Sequence, residues 1–397
     1  MNPRPISFQI LVLFDWVESM DRTFRTRGYT LFQLMVVMAC IGGMMALMLP
    51  FIQAAREDAR RSQCVNNLKG IGVALHNYND TYKRLPFNSQ SGNPYLRNGQ
   101  QSWIRGARGS VLFKILPYIY KDRIFHVIKE ETNNFREPEG LMYRYWDRNG
   151  DGIQQLPDEQ YFTDIHIPSY WCPSADSPKW ETNGQRDYNQ HALTCYSMSV
   201  GAQRRDSEGG CDSANPEIVG PLITHRGDYW DDPSGTDPGD ADWGNEYRGA
   251  HISGVFSATY YSSTFGEITD GLANTFFAGE FLPNRTEDAW DWGWMIGHAK
   301  GAVLGTAAPC NAPVGTRGGA SVAAHLSIDP TGTLLSHPCA EPGDHVFGFG
   351  FKSVHTGNGC NMLLGDGSVH FFFHRVDYTI WQRFGSRKDG TVLIMPS

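Results

Sequence analysis

The chain has 397 residues and a formal net charge of −8. Its 34 Lys and Arg are not gathered into the clusters that phosphate binding needs, which excludes nucleic acid as a partner. Trp, Tyr and Phe make up 13% of the chain and there are 43 glycines, a composition that suits sheets joined by many turns.

Residues 1–19 are mildly apolar and acidic, whereas the stretch MDRTFRTRG from Met20 makes a compact basic leader, so translation is expected to start at Met20. The uncharged run Tyr29–Ile52 has 24 residues with one amide, Gln33. At about 1.5 Å per residue it exceeds the roughly 30 Å hydrocarbon core of a bilayer. It is too long for the apolar region of a cleaved secretory signal. Arginines flank it on both sides (Arg22, Arg25 and Arg27 against Arg56, Arg60 and Arg61), so charge alone leaves the orientation undecided. By length and hydropathy an ordinary signal anchor reads the same way.

The order basic cluster, Gly28, aromatic Tyr29, Thr-Leu, apolar helix resembles the prepilin processing segment. The resemblance implies that a prepilin peptidase on the cytoplasmic face cuts after Gly28 and methylates the new amino terminus of Tyr29. Residues 1–28 are then a leader, and residues 29–52 a retained transmembrane helix. The resemblance also implies a single-pass protein with its amino terminus cytoplasmic and its globular part periplasmic or extracellular. Pilin-like proteins carry Glu at the fifth position after the cut, and here Gln33 stands there. An amide hydrogen-bonds but brings no charge, so subunit contacts built on that ion pair are weakened. Pro50, the twenty-second residue after the cut, fits the family's helix kink.

Residues 53–85 continue as an amphipathic helix, with Leu68, Ile71, Leu75, Tyr78, Tyr82 and Leu85 at three-four spacing, ending before Pro86. His76 falls on a polar or border face of that helix and has no partner at i+4, so a packed or solvated role is expected. Residues 86–397 form the globular part. From 103 to 130 the pattern suggests two helices interrupted by Pro117. Short β-like segments follow, among them ALTCYSMSVG, NTFFAGEF and GSVHFFFHRV, with a long acidic surface loop over 226–249. Helix followed by strands predicts an α+β fold: a long amino-terminal helix packed on a mostly antiparallel, pilin-like sheet domain with large loop insertions.

Three blocks, CVNNLKGIGVALHNYNDTYKRLP, GEITDGLANTFFAGE and FKSVHTGNGCNMLLGDGSVHFF, resemble a large family of exported pilin-like proteins of unknown function, sometimes labelled solute-binding. Its carboxy-terminal signature is a His preceding Asp-Gly by nine residues. Here ten residues separate His355 from Asp366, an insertion that lengthens a turn. Gly365-Asp366-Gly367-Ser368 between two apolar segments is a hairpin signal, with Asp366 holding its own turn and Gly367 supplying positive φ. His355 is expected to hydrogen-bond across to that turn, and a catalytic His355–Asp366 pair is the sharper alternative. His370 and His374 share a strand face among aromatics, which favours packing.

DRNGDGIQQLPDE, residues 147–159, has the oxygen-ligand spacing of a calcium loop: Asp147, Asn149, Asp151, the carbonyl of Ile153 and Asp158. Gln154 at the usual apolar position and Asp rather than Glu at the twelfth depart from that pattern. The choice is between a structural calcium site and a turn-rich loop. The eight cysteines include no C-x-x-C pair. Cys40 lies inside the apolar helix. The six from Cys172 onward allow disulfides, with Cys195–Cys211 and Cys310–Cys339 the preferred pairs.

No nucleophile-elbow, zincin, Walker or dinucleotide motif occurs, so a non-enzymatic role is expected. The expected function is that of a membrane-anchored, pseudopilin-like protein in a secretion- or pilus-related assembly, with other pilin-like subunits as partners. The alternative is a cell-surface binding module that uses the pilin segment only for export and anchoring.

Overall fold

The structure, a computed structural model, describes residues 30–88, 109–119, 124–126, 145–147, 159–161, 165–182, 190–202, 253–257, 261–283, 294, 303–306, 310–311, 327–328, 334–335 and 350–390. The chain divides into two compact units, Met1–Arg56 and Glu57–Ser397. The first helix, α1 (Leu31–Tyr82), contributes to both.

In the first unit α1 opens with a reciprocal capping box. The Gln33 backbone N–H donates to Thr30 Oγ1 at 3.3 Å, and the Thr30 N–H donates to Gln33 Oε1 at 3.1 Å. Among the described residues α1 is the one helix long and apolar enough to cross a membrane. Its apolar side chains, including Leu31, Phe32, Met35, Leu47 and Phe51, stand exposed, as a lipid-facing segment requires. Cys40 is exposed with them. Pro50 lies within the helix, where it removes one backbone donor without ending it.

In the second unit the α1 stripe is real but shorter than the spacing suggests. Cys64, Leu68, Ile71 and Leu75 are fully buried, whereas Tyr82 is exposed. The helix stops at Tyr82 because Lys83 takes a left-handed φ of 58°, and its N–H returns to Asn79 O at 2.7 Å. Leu85 is buried beyond the helix end, bonded to Ser263 O at 3.3 Å. Helix α2 (Val111–Ile119) contains Pro117 in its last turn, so that proline does not break it as expected. Ser110 caps α2, its Oγ accepting from Phe113 N at 3.1 Å and donating to Trp294 O at 2.6 Å.

The strands are β1 (Tyr145–Asp147), β2 (Glu159–Tyr161), β3 (Trp180–Thr182), β4 (Gln190–Ala192), β5 (Tyr196–Gly201), β6 (Phe276–Glu280), β7 (Val303–Gly305), β8 (Ser327–Ile328), β9 (Leu334–Leu335), β10 (Gly359–Leu364) and β11 (Val369–Phe373). Five form the central sheet in the order β11-β10-β6-β5-β7. Three of its pairings are antiparallel and β5–β7 is parallel, so the α+β sheet is mixed.

Side-chain alternation gives the sheet two apolar faces. Tyr196, Met198, Ala278 and Leu363 join the cluster that buries Leu68, Ile71 and Leu75 of α1 and Val111, Phe113 and Ile115 of α2. The approach is close: a Cβ on Gly72 of α1 would lie 2.9 Å from Leu363 Cδ1. Phe276, Met362, Leu364 and Phe372 face the other way, onto Trp381 and Phe384 of helix α3 (Tyr378–Gly385). A register shift between Leu363 and Leu364 leaves Phe277 without a pairing partner in β10 and puts the adjacent Phe277 and Ala278 in the same cluster, while Phe276 faces the other. Asp377 caps α3 by accepting from Ile380 N at 3.0 Å.

The β10–β11 turn forms as the sequence indicates. Asp366 Oδ1 accepts from Ser368 N at 2.8 Å and Ser368 Oγ at 2.6 Å, and Gly367 has φ 87°.

Candidate functional site

Glu57 and Cys64 lie seven residues apart on α1, two turns along one face. Across the core, Cys172 follows a short 3-10 turn, Pro168–Tyr170, and bonds covalently to Cys64. This disulfide shares no cysteine with the pairs expected from loop spacing. Cys195 is free and buried, held by β5 entering the core, and Cys211 and Cys339 lie outside the described residues. Cys310 and Cys360, on the α3 side of the sheet, have sulfurs 2.6 Å apart. A disulfide needs about 2.05 Å, so oxidation is expected to close a Cys310–Cys360 bond with little rearrangement. Peptide mapping without reduction checks this; both thiols alkylated in oxidised protein would contradict it.

Beside the Cys64–Cys172 bond lies a buried polar cluster. Glu280 ends β6 on the α1 face, only 1% exposed, and His355 precedes β10 at 3%. His355 Nδ1 stands 3.2 Å from Glu57 Oε1, and Nε2 stands 3.1 Å from Glu280 Oε1. Two nitrogens facing two carboxyl oxygens is the arrangement that favours the protonated ring, in which both nitrogens donate. Its Nε2 is also 3.7 Å from Cys172 Sγ.

Each carboxyl group is held from behind. Glu280 Oε2 accepts from Asn361 N at 2.8 Å, and Oε1 accepts from Asn361 Nδ2 at 2.9 Å. Glu57 Oε1 accepts from Ser174 Oγ at 2.9 Å, and Oε2 accepts from Arg60 Nε at 2.8 Å. The His355 N–H donates to Ser353 Oγ, which donates to Gly359 O at 2.6 Å.

Burial works against the His355 charge, but the hydrogen bonds and charges of Glu280 and Glu57 outweigh it and raise its pKa above 6.5. For Glu57 burial pushes upward, yet the bonds from Arg60, Ser174 and His355 prevail and lower its pKa below 4.5.

His355 therefore does not turn toward the β10–β11 hairpin, and Asp366, exposed, serves its own turn. The hairpin is reached from α1 instead, by His76 Nε2, 2.8 Å from Gly365 O. His370 faces Ser368 Oγ and His374 faces Asn358 O, both at exposed positions. Gly28 and Tyr29 lie outside the described residues, as do Asn149, Asp151, Ile153 and Asp158; Asp147 ends β1. Glu57, Glu280 and the Cys64–Cys172 bond escaped sequence reasoning. The usable signal for Glu280 was a lone carboxylate inside the apolar run FFAGEF.

A helix able to span a membrane, followed by an α+β unit built on a mixed five-stranded sheet, defines a membrane-anchored or exported class of protein. Residues 53–379 match the family described as protein of unknown function (DUF1559), labelled SBP_bac_10, and the chain belongs to that family. No curated protein and no solved structure matches it.

Proposed function

We propose that this protein is a membrane-anchored, pilin-like component of a secretion- or pilus-related assembly, non-enzymatic, with its globular unit outside the cytoplasm. One observation carries the reading: α1 begins as an exposed apolar segment and ends as a stripe buried in the core and cross-linked to the Cys172 segment. A disulfide in the core suits an oxidising compartment, in keeping with export. Prepilin peptidase cuts after Gly28 and methylates Tyr29, leaving α1 in the membrane. Terminal sequencing of the mature protein tests this. A terminus at Tyr29 is expected, and Gly28→Leu should block processing while membrane insertion persists. An intact leader, or a cut beyond Ile52, overturns it.

The second reading is a cell-surface binding module that uses the segment only for export and anchoring. Gln33 favours it, because its side chain caps Thr30 and brings no charge to a neighbouring subunit. Crosslinking in native membranes separates the two, since filament neighbours and isolated monomers give different products.

A structural calcium ion held by Asp147, Asn149, Asp151, the Ile153 carbonyl and Asp158 completes the proposal. Binding to the folded state alone adds about 2.7 kcal/mol at a hundredfold excess over Kd. Wild type should melt higher in calcium than in chelator, and Asp151→Ala should not. Equal melting of the wild type in both removes the site.

A further inference from the structure

A disulfide needs no polar neighbours, yet this one is flanked by a buried imidazole and a buried carboxylate, groups that are costly to desolvate. We propose that Cys64, Cys172, His355 and Glu280 form a closed zinc site when the disulfide is reduced, so that the junction has two exclusive states, cross-linked and metal-bound.

The four ligand atoms lie within 4.8 Å of one another, all on buried residues. Tetrahedral zinc, with bonds of about 2.0–2.3 Å, sets its ligands roughly 3.3–3.8 Å apart. His355 Nε2 already stands 3.7 Å from Cys172 Sγ and 3.1 Å from Glu280 Oε1. The two sulfurs must separate, and the other ligand atoms start within 4.8 Å of one another.

The surrounding shell is that of a ligand set. His355 Nδ1 faces Glu57 Oε1 at 3.2 Å, the carboxylate–histidine arrangement that fixes a ring and presents Nε2 to a metal. Asn361 fixes both carboxyl oxygens of Glu280, its backbone N–H on Oε2 and its Nδ2 on Oε1, and the Oε1 lone pair that now faces His355 Nε2 is the one the ion takes. Two thiolates with one imidazole favour zinc over calcium or magnesium.

The chemistry balances. A dithiol gives two electrons and two protons to the S–S bond and leaves as its own disulfide. In vitro a phosphine gives the two electrons, water supplies the two protons and the oxygen, and the reductant leaves as phosphine oxide, with two thiols formed either way. Zn²⁺ then displaces three protons, one from each thiol and one from His355 Nε2. Nδ1 keeps its proton on Glu57. Return to the cross-link needs a thiol oxidant and expels the ion.

The test uses the full-length protein in detergent, oxidised or reduced anaerobically with a phosphine, then given Zn²⁺ or Co²⁺ and desalted. Oxidised protein should retain no metal, and reduced protein one zinc per chain. The cobalt form should show thiolate-to-cobalt charge transfer and tetrahedral visible bands. His355→Gln and Glu280→Gln should each weaken zinc binding at least tenfold, and Glu57→Gln about 10–100-fold. Circular dichroism reports the fold throughout. If the reduced wild type stays folded, zinc retention no greater than that of Cys64→Ser/Cys172→Ser, or an octahedral cobalt spectrum, overturns the proposal. If it unfolds on reduction, failure of zinc to restore the fold overturns it equally. The outcome does not depend on whether Gly28 is processed.

Discussion

Replacing Cys64 and Cys172 together by serine is expected to destabilise the globular unit by about 2–5 kcal/mol, the range found for native disulfides. The bond joins residues 108 apart, a long loop whose release returns much conformational freedom to the unfolded chain. Both positions are buried, so each serine also takes a hydroxyl out of water. The loss should begin locally, with faster amide exchange across residues 64–82. A urea titration of the full chain in detergent, followed by near-UV circular dichroism, measures the total. A change below about 0.5 kcal/mol, the scatter of ordinary surface substitutions, would show that α1 is held by apolar packing alone.

His355→Ala should cost a comparable amount, about 3–5 kcal/mol, by stranding the Glu280 carboxyl group in the core. A joint His355→Leu/Glu280→Met change should recover much of it, because neither charge is then left buried. The loss depends on pH with a definite sign. The folded state raises the His355 pKa, so its contribution is complete below the unfolded value of about 6.5. That contribution fades as pH rises through the higher folded value. Glu57 behaves oppositely: its pKa is lowered, so its contribution is present above 4.5 and is lost as pH falls through the folded value. Wild type should therefore be most stable between these limits. The gap to His355→Gln should narrow in alkali. A gap that widens above pH 7 would refute the imidazolium assignment.

Local order was legible in the chain and long-range pairing was not. Leu68, Ile71 and Leu75 announce their buried face by spacing, and Gly365-Asp366-Gly367-Ser368 announces its turn, because both depend on neighbours a few residues away. Leu85 lies beyond the helix, because Pro86 marks where a helix must have stopped, not where Lys83 ends it, and Tyr82, though helical, stands off the buried stripe. The site joins Glu57 to His355 across 298 residues and Glu280 to His355 across 75. Nothing periodic links such positions. The His355 motif drew attention to the correct residue but the wrong partner: Asp366 is near in sequence, whereas the sheet brings Glu280 and α1 brings Glu57. The parallel β5–β7 pairing was equally hidden, since hairpin signals report antiparallel neighbours only.

The position of the cross-link along α1 also decides how the globular unit bears load. A pull arriving from the amino-terminal side of Glu57 meets Cys64 before it meets Leu68, Ile71 or Leu75. Tension therefore passes into the Cys172 segment through a covalent bond, and the apolar stripe behind it is spared from being peeled off the sheet one residue at a time. With the bond reduced, the same pull would open the interface like a zipper from Cys64 onward. The junction is in this sense a rivet set at the leading edge of the seam, where a single fastener protects everything behind it.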